Sequence, residues 1–272
     1  MENIKAKKKY GQNFLIDTTV LNGIIQAMPN NNNYIVEIGP GLGDLTEKLV
    51  KYKDMTAYEV DTDLIGILRS KFQKEIECNR FKLIHTDVLE AWDKQNTLHT
   101  GKYDMIANLP YYIATNIILR ALEDANCEHI IVMIQKEVAL KFTAKVNDKE
   151  FSSLAIIAQL LTTDSKILFD VQPESFNPAP KVVSSILYLK KDLNKSVCND
   201  FKKFLKVCFS QPRKKLSKNL AAQIDKELLS QIFKDLNIND NIRPHEVSAS
   251  LYSQMYTKVK NGRNESTDDT RG

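Results

Sequence analysis

The sequence predicts an α/β fold built on a doubly wound parallel sheet, followed by a small all-helical domain. Three observations predict this. Short apolar runs alternate with helix-patterned segments over the first two thirds of the chain, a glycine-rich loop follows directly on the first complete run, and after residue 191 the apolar spacing becomes purely helical.

The apolar runs YIVEIG (34–39), MTAYEV (55–60), FKLIH (81–85), YDMIAN (103–108) and HIIVMI (129–134) read as buried strands. Between them LTEKLVKY, LIGILRSKF and TNIILRALEDA have helical spacing, which makes the sheet Rossmann-like and parallel. The run SSILYLK (184–190) supplies a late strand, antiparallel at or near the edge. Beyond it Phe201, Phe204, Leu205, Cys208 and Phe209 form one helix face, Pro212 interrupts, and Leu216, Leu220, Leu228, Leu229, Ile232, Phe233 and Leu236 resume the pattern. The expected division is a catalytic domain over 1–191, a helical domain over 192–260, and a tail over 261–272 with no apolar residue to bury, expected to be disordered.

Composition excludes several classes. With 43% hydrophobic and 26% charged residues in 272, wholesale disorder, collagen-like repetition and a coiled-coil rod are ruled out. No apolar run approaches the ~20 residues that span a bilayer. The N-terminus MENIKAKKKYGQNF is basic without an apolar stretch behind it, so no secretory signal is read. Cys78, Cys127, Cys198 and Cys208 lie scattered, as in reduced cytosolic proteins, and no cluster has metal-ligand spacing. A cytoplasmic, metal-free, membrane-free protein is expected.

The net charge of +4 is modest but unevenly placed. Lys202, Lys203, Lys206, Arg213, Lys214, Lys215 and Lys218 crowd residues 201–224 with no acidic residue among them, and Lys5, Lys7, Lys8 and Lys9 open the chain. Clustered positive charge suits a polyanion, because each neutralised phosphate releases condensed counterions. Two solvated helix faces are the plainer alternative.

After the first strand comes Glu37-Ile38-Gly39-Pro40-Gly41-Leu42-Gly43, whose alternate glycines let a ligand approach the backbone closely. Glu59 ends the second strand twenty residues beyond Gly39, where a carboxylate accepts hydrogen bonds from ribose hydroxyls. Nicotinamide and flavin enzymes share this logic. Here, however, the spacing is GxGxG rather than GxGxxG, and Pro40 removes an N–H that a pyrophosphate would want. A nucleoside cofactor without pyrophosphate, such as S-adenosyl-L-methionine, fits better, with Gly39, Gly41 and Glu59 as candidate binding residues. Asp87, closing His85-Thr86-Asp87-Val88, is placed to accept from an adenine amine, or equally to cap a turn or helix. His85 has no assigned role.

Asn108-Leu109-Pro110-Tyr111 closes the fourth strand. An exocyclic adenine amine is a poor nucleophile because its lone pair is delocalised into the ring. The Asn108 side-chain oxygen and the Leu109 carbonyl can accept from that NH2 group, favouring a more tetrahedral nitrogen, while Pro110 stiffens the turn. Tyr111 offers a face on which an extruded base can stack. No strong general base is needed, since the nitrogen loses its proton after the methyl arrives.

With these residues in place the chain resembles the ribosomal RNA adenine N6-dimethyltransferase family, specifically its small-subunit branch, from Lys8 to about Leu251. YGQNFLID resembles the family's N-terminal motif, implying that Gln12, Asn13 and Leu15 close over the cofactor. VEIGPGLGDLT implies Gly39 at the methionine end, YEVD implies Glu59 on the ribose, HTDV implies Asp87 and Val88 at the adenine, and NLPY implies Asn108 at the catalytic centre. Phe176-Asn177-Pro178-Ala179-Pro180-Lys181-Val182 resembles the FxPxPKV segment, implying that Phe176 faces Tyr111 across the target adenine; without the family, Phe176 reads as core.

FSQPRKKLSKNL, RPHEVS and the Leu of NLPY resemble the housekeeping branch rather than the large-subunit branch that confers antibiotic resistance. The resemblance implies a monomer that dimethylates two adjacent adenosines in the 3′-terminal hairpin loop of small-subunit rRNA during ribosome maturation. Lys202 to Lys218 would then hold rRNA phosphates. Three positions depart from the family pattern: Ala114 replaces a hydroxyl residue, Ser152 replaces a glycine after Phe151, and Pro212 replaces a polar residue, which bears on the shape of the basic helix. The competing readings are a large-subunit rRNA methyltransferase, a non-catalytic assembly factor that keeps the fold, and, weakest, a dehydrogenase.

Overall fold

Five apolar runs become parallel neighbours because most of their side chains are buried on both faces, as a helix-covered sheet requires. The computed structural model describes residues 6–268. The chain enters through β1 (Phe14–Leu15) and α1 (Thr18–Gln26), then alternates β2 (Tyr34–Ile38), α2 (Asp44–Leu49), β3 (Met55–Glu59), α3 (Thr62–Lys71), α4 (Gln73–Glu77), β4 (Phe81–His85), α5 (Val88–Gln95), β5 (Tyr103–Asn108), α6 (Ala114–Glu123) and β6 (Cys127–Gln135). Next come α7 (Lys136–Thr143), α8 (Ser153–Leu161), β7 (Thr162–Val171), β8 (Phe176–Asn177) and β9 (Ser184–Lys191). The chain ends in α9 (Asn199–Cys208), α10 (Leu216–Leu220), α11 (Lys226–Asp235) and α12 (Ala249–Asp268).

Among the described residues the main sheet has seven strands in the order β4-β3-β2-β5-β6-β9-β7. β4, β3, β2, β5 and β6 are parallel, and β9 and β7 are antiparallel. The strand order reverses between β2 and β5, which opens a crevice at their carboxyl ends, the place where such sheets bind ligands. The covering helices pack by ordinary amphipathicity. In α6, Ala114, Ile117, Ile118, Ala121 and Leu122 are buried at helical spacing, and each large side chain contributes ~1.5–3 kcal/mol by leaving water.

The late strand β9 is antiparallel and next to the edge, as expected, and one strand is unexpected. The sheet edge is β7, with β9 one strand inside it, and β7 is not legible in its sequence because TTDSKILFDV is charged and half-buried. Register shifts at Thr162/Asp164 and Ile167/Phe169 break the alternation a strand reading relies on, and charge on an edge discourages further pairing.

The described chain divides into two compact units. One comprises the chain to Leu140 with Thr162–Asn194; the other comprises Lys141–Leu161 and the chain from Lys195. The expected division keeps 141–161 inside the first domain, whereas the structure groups them with the helices. The reason lies in α8, SLAIIAQLL, which is apolar nearly all round, buries Ala155, Ile156, Ile157, Ala158 and Leu161, and packs against α9 and α12. Phe151 meets Phe209 in the same unit, ring centroids 6.5 Å apart. The helix α12 continues to Asp268 through most of the stretch expected to be disordered, since each added residue gains a backbone bond once the helix is nucleated. Residues 269–272 of that tail, and Lys5 at the other end, lie outside the described residues.

Candidate active site

Four loops at the carboxyl ends of β2, β3, β4 and β5 converge on one cavity, lined among others by Gly39, Gly41, Glu59, Asp87, Val88, Asn108, Leu109, Pro110 and Tyr111. Gln12, Asn13 and Leu15 line it from the N-terminal segment. Every predicted cofactor residue is thus brought to one place. Of the predicted catalytic residues, Phe176 does not line the cavity.

The glycine loop is shaped for close approach. Gly39 has φ +66° and its N–H donates to Tyr58 O at 2.9 Å, and a Cβ on it would come within 3.8 Å of the Pro110 ring, in the gap between the two loops. Gly41 has φ +59°, and a Cβ there would sit 3.1 Å from the Phe14 ring. Any side chain at either position would fill space the cavity keeps open.

Glu59 is 5% exposed at the end of β3. Its Oε1 accepts from the N–H groups of Val60 and Asp61, both at 2.9 Å, and its Oε2 accepts from Gly41 N–H at 3.4 Å. Burial raises its carboxyl above the ordinary range, an effect these backbone donors reduce. Glu37, 1% exposed, is pushed up to about 8 by burial and accepts from Thr46 Oγ1 at 2.6 Å. Asp87 Oδ1 caps α5 by accepting from Leu89 N–H at 2.8 Å, so the helix-cap reading of this residue holds, and Val88 is buried as the first residue of α5. His85 lies outside the cavity lining, its Nε2 3.4 Å from Thr62 Oγ1.

Asn108, at the end of β5, donates from Nδ2 to the main-chain carbonyl of Asn13 at 3.1 Å. That contact assigns the amide orientation, leaving Oδ1 as the acceptor. Leu109 is buried and its N–H donates to Met133 O, while Ile113 N–H closes the turn on Pro110 O at 3.2 Å. Tyr111 is half-buried with its hydroxyl 2.6 Å from Ser184 Oγ, which fixes the ring's direction. Phe176 is 3% exposed; β8 pairs with β1, bringing Phe176 opposite Leu15, and both belong to the hydrophobic core. Phe176 thus takes the core position that it reads as without the family, packed with Phe14 and Leu15, and its facing Tyr111 stays an expectation.

Sequence reasoning does not find what anchors the N-terminal segment. Asp61, 1% exposed, accepts from Lys7 Nζ at 2.5 Å and from Gln12 Nε2 at 2.8 Å. Gln12 Oε1 in turn accepts from Lys7 N–H at 2.7 Å, so both ends of the Gln12 amide serve the segment itself. Burial pushes the Asp61 carboxyl up, but the bonds from Lys7 and Gln12 outweigh it and hold it below the usual carboxylate range. Lys7 also pairs with Asp63 at 2.5 Å, so it serves these carboxylates rather than an external polyanion. The signal is present in YEVD, where Asp61 follows Glu59 by two.

In the helical unit, Lys203, Lys206, Arg213, Lys214, Lys215 and Lys218 are exposed and Lys202 is half-buried. Lys203 pairs with Asp200 at 3.0 Å and Lys215 donates to Asn241 Oδ1 at 2.5 Å. Pro212 lies in the turn between α9 and α10, not within a helix, so it leaves α9 intact. Ala114 is the first residue of α6, whose cap position Ile113 makes no side-chain bond; Ser152 Oγ is buried without a partner.

Residues 3–261 match the family model described as Ribosomal RNA adenine dimethylase. The chain belongs to that family. It is 75% identical over 264 residues to ribosomal RNA small subunit methyltransferase A of Aliarcobacter butzleri, covering 97% of this chain and 100% of that one. It is 51% identical over 261 residues to the protein of the same name from Campylobacter jejuni, covering 94% and 96%. Two solved structures share the fold. A dimethyladenosine transferase from Plasmodium falciparum matches with TM-score 0.77 at 22% identity, covering 91% of this chain and 98% of that one. The 23S rRNA methyltransferase ErmE matches with TM-score 0.69 at 20% identity, covering 91% and 100%. This dimethylase is therefore a methyltransferase with the α/β sheet and C-terminal helices that the motifs predicted, and the dehydrogenase reading is set aside.

Proposed function

We propose that this dimethylase transfers methyl groups from S-adenosyl-L-methionine to N6 of two adjacent adenosines in the 3′-terminal hairpin loop of small-subunit rRNA. The observation that carries the chemistry is Asn108, held at the sheet's switch point with its amide nitrogen committed to Asn13 O. Its Oδ1 is the acceptor that an adenine amine needs. The small-subunit target is supported by the names of the two relatives above, each of which this chain matches over more than nine tenths of its length.

The cavity suits the cofactor on charge. Glu37 is largely protonated at neutral pH, and among the other described residues lining the cavity Asp44, Glu59 and Asp87 stand against one lysine, Lys9. Such a lining favours a ligand with net positive charge and repels a pyrophosphate. The space that side chains on Gly39 and Gly41 would fill is kept open for it. S-adenosyl-L-methionine supplies the methyl group on a cationic sulfonium. Glu59 would accept from the ribose hydroxyls, Asp87 through its uncapped oxygen and Val88 would meet the adenine, and the Gly39 loop would hold the methionine end.

The chain's own residues then act by positioning. Asn108 Oδ1 and the Leu109 carbonyl accept from the target amine, Pro110 fixes their spacing, and Tyr111 presents its ring to the extruded base. The amine's proton departs to solvent after transfer. The basic residues from Lys202 to Lys218 neutralise rRNA phosphates without reading sequence.

The test is methyl transfer from labelled S-adenosyl-L-methionine to undermethylated small subunits, naked small-subunit rRNA and large-subunit rRNA in parallel. Label on small subunits, recovered as N6,N6-dimethyladenosine, is the expected result. Label confined to large-subunit rRNA would move the target, and cofactor binding without any transfer would favour the assembly-factor reading.

A further inference from the structure

Among the described residues two large exposed apolar side chains, Val60 and Tyr112, line the cavity, and Tyr112, 60% exposed, is the aromatic one. Its neighbour Tyr111 is half-buried, held by its bond to Ser184 and assigned above to the target base, and Phe176 is buried, so neither is free to cover the cofactor. Tyr112 is.

Its position is set by Gly11. A Cβ on Gly11 would lie 3.3 Å from Tyr112 Cδ1 and 3.6 Å from Cε1, so the N-terminal segment presses directly on the ring. Gly11 has φ +60°, the backbone conformation that lets the segment pass this close. Asp87 and Glu59 line the same cavity as Tyr112, and burial together with their charges and Tyr10 raises the Tyr112 phenol. Tyr10 lines the same side of the cavity.

We propose that Tyr112 is a cofactor-binding residue whose ring, braced by Gly11, covers the adenosine end of the cofactor in the cavity that Asp87 and Glu59 also line. This rests on the adenosyl-cofactor reading above. An aromatic face stacks on any base, while Asp87 and Glu59 supply the polar contacts that fix its orientation. A ring of this kind would also suit the target adenine, but its sharing the cavity with Asp87 and Glu59 and its contact with the N-terminal segment at Gly11 favour the cofactor.

The experiment is calorimetric titration of wild type, Tyr112→Ala and Tyr112→Phe with S-adenosylhomocysteine and with 5′-methylthioadenosine, which lacks the amino-acid end. Thermal unfolding checks that both variants fold. The expected result is a Kd about tenfold higher for both ligands in Tyr112→Ala. In Tyr112→Phe, which keeps the ring, Kd stays within about twofold of wild type. A Kd for Tyr112→Ala within twofold of wild type overturns the proposal. So does an unchanged cofactor Kd with a raised KM for small subunits, which would assign the ring to the target base. Failure of wild type to bind either ligand would instead overturn the adenosyl-cofactor reading, before any variant is compared.

Discussion

The side-chain amide of Asn108 donates to the main-chain carbonyl of Asn13 at 3.1 Å, joining residues 95 positions apart. The end of β5 and the N-terminal segment therefore share one hydrogen bond at the point where chemistry is proposed. The same segment is fixed further along by Ser175 O, which accepts from Ile16 and Asp17 N–H, and by the Asp61 pair to Lys7 and Gln12. Asn108 is oriented by a segment that itself closes one side of the cavity.

Replacing Asp61 with alanine leaves Lys7 with Asp63 and Gln12 Nε2 without its carboxylate. The expected result is faster hydrogen exchange at the amides near Gln12 and Asn13 and a several-fold rise in cofactor Kd. Because Lys7 is partly solvated, the loss in global stability should be small. Hydrogen-exchange mass spectrometry and titration with S-adenosylhomocysteine read the first two effects; unchanged exchange would show that β1 alone holds the segment.

Glu37 gives a pH signature. Its carboxyl is raised to about 8 by burial, so between about pH 4.5 and pH 8 the folded chain holds a proton that the unfolded chain has lost. This contribution is present below pH 4.5 and declines as pH rises to 8. Glu37→Gln keeps an acceptor for Thr46 and removes the titration. Its Tm is expected to exceed wild type at pH 8 by several degrees and to match it at pH 5. A positively charged cofactor favours the ionised form, so its binding near pH 7 should release protons, visible as a buffer-dependent calorimetric enthalpy that Glu37→Gln lacks.

Glu59→Gln removes the charge proposed to meet the ribose while preserving shape. Since hydrogen bonds to a charged group carry ~1.5–3 kcal/mol, the cofactor Kd should rise about ten- to a hundredfold. Titration with S-adenosylhomocysteine decides it, and an unchanged Kd would remove Glu59 from the site.

Neutralising Arg213, Lys214 and Lys215 together tests the basic turn. All three are exposed, so folding should be unaffected. Affinity for small subunits should fall, and the dependence of log K on log salt should flatten by roughly 0.7–0.9 for each phosphate left without its cation. Filter binding across a salt series measures this; an identical slope would assign the turn to solvent.

Much of the fold and of the site is readable from the residues alone. Gly39, Glu59, Asp87 and Asn108 each end or follow a strong apolar run, and parallel strands bring such ends together without further information. β7 escapes because its pairing partner β9, not its own sequence, makes it a strand. The place of α8 with the C-terminal helices escapes because an all-apolar helix states that it is buried but not against what. Phe176 carries two readings, an open ring from the motif and a core residue without it, and the pairing of β1 with β8 accompanies the buried one. Tyr112, by contrast, follows a motif residue and is visible only once its exposure and Gly11 are known.

Asn108 is the centre of the proposed chemistry, and single-turnover methyl transfer by Asn108→Ala tests its role most directly. With labelled S-adenosyl-L-methionine and undermethylated small subunits both saturating, the rate should fall at least ~100-fold, the scale of losing one positioned group at a reacting centre. The Kd for S-adenosylhomocysteine should rise less than about tenfold. A rate within threefold of wild type would contradict this role and place the chemistry elsewhere.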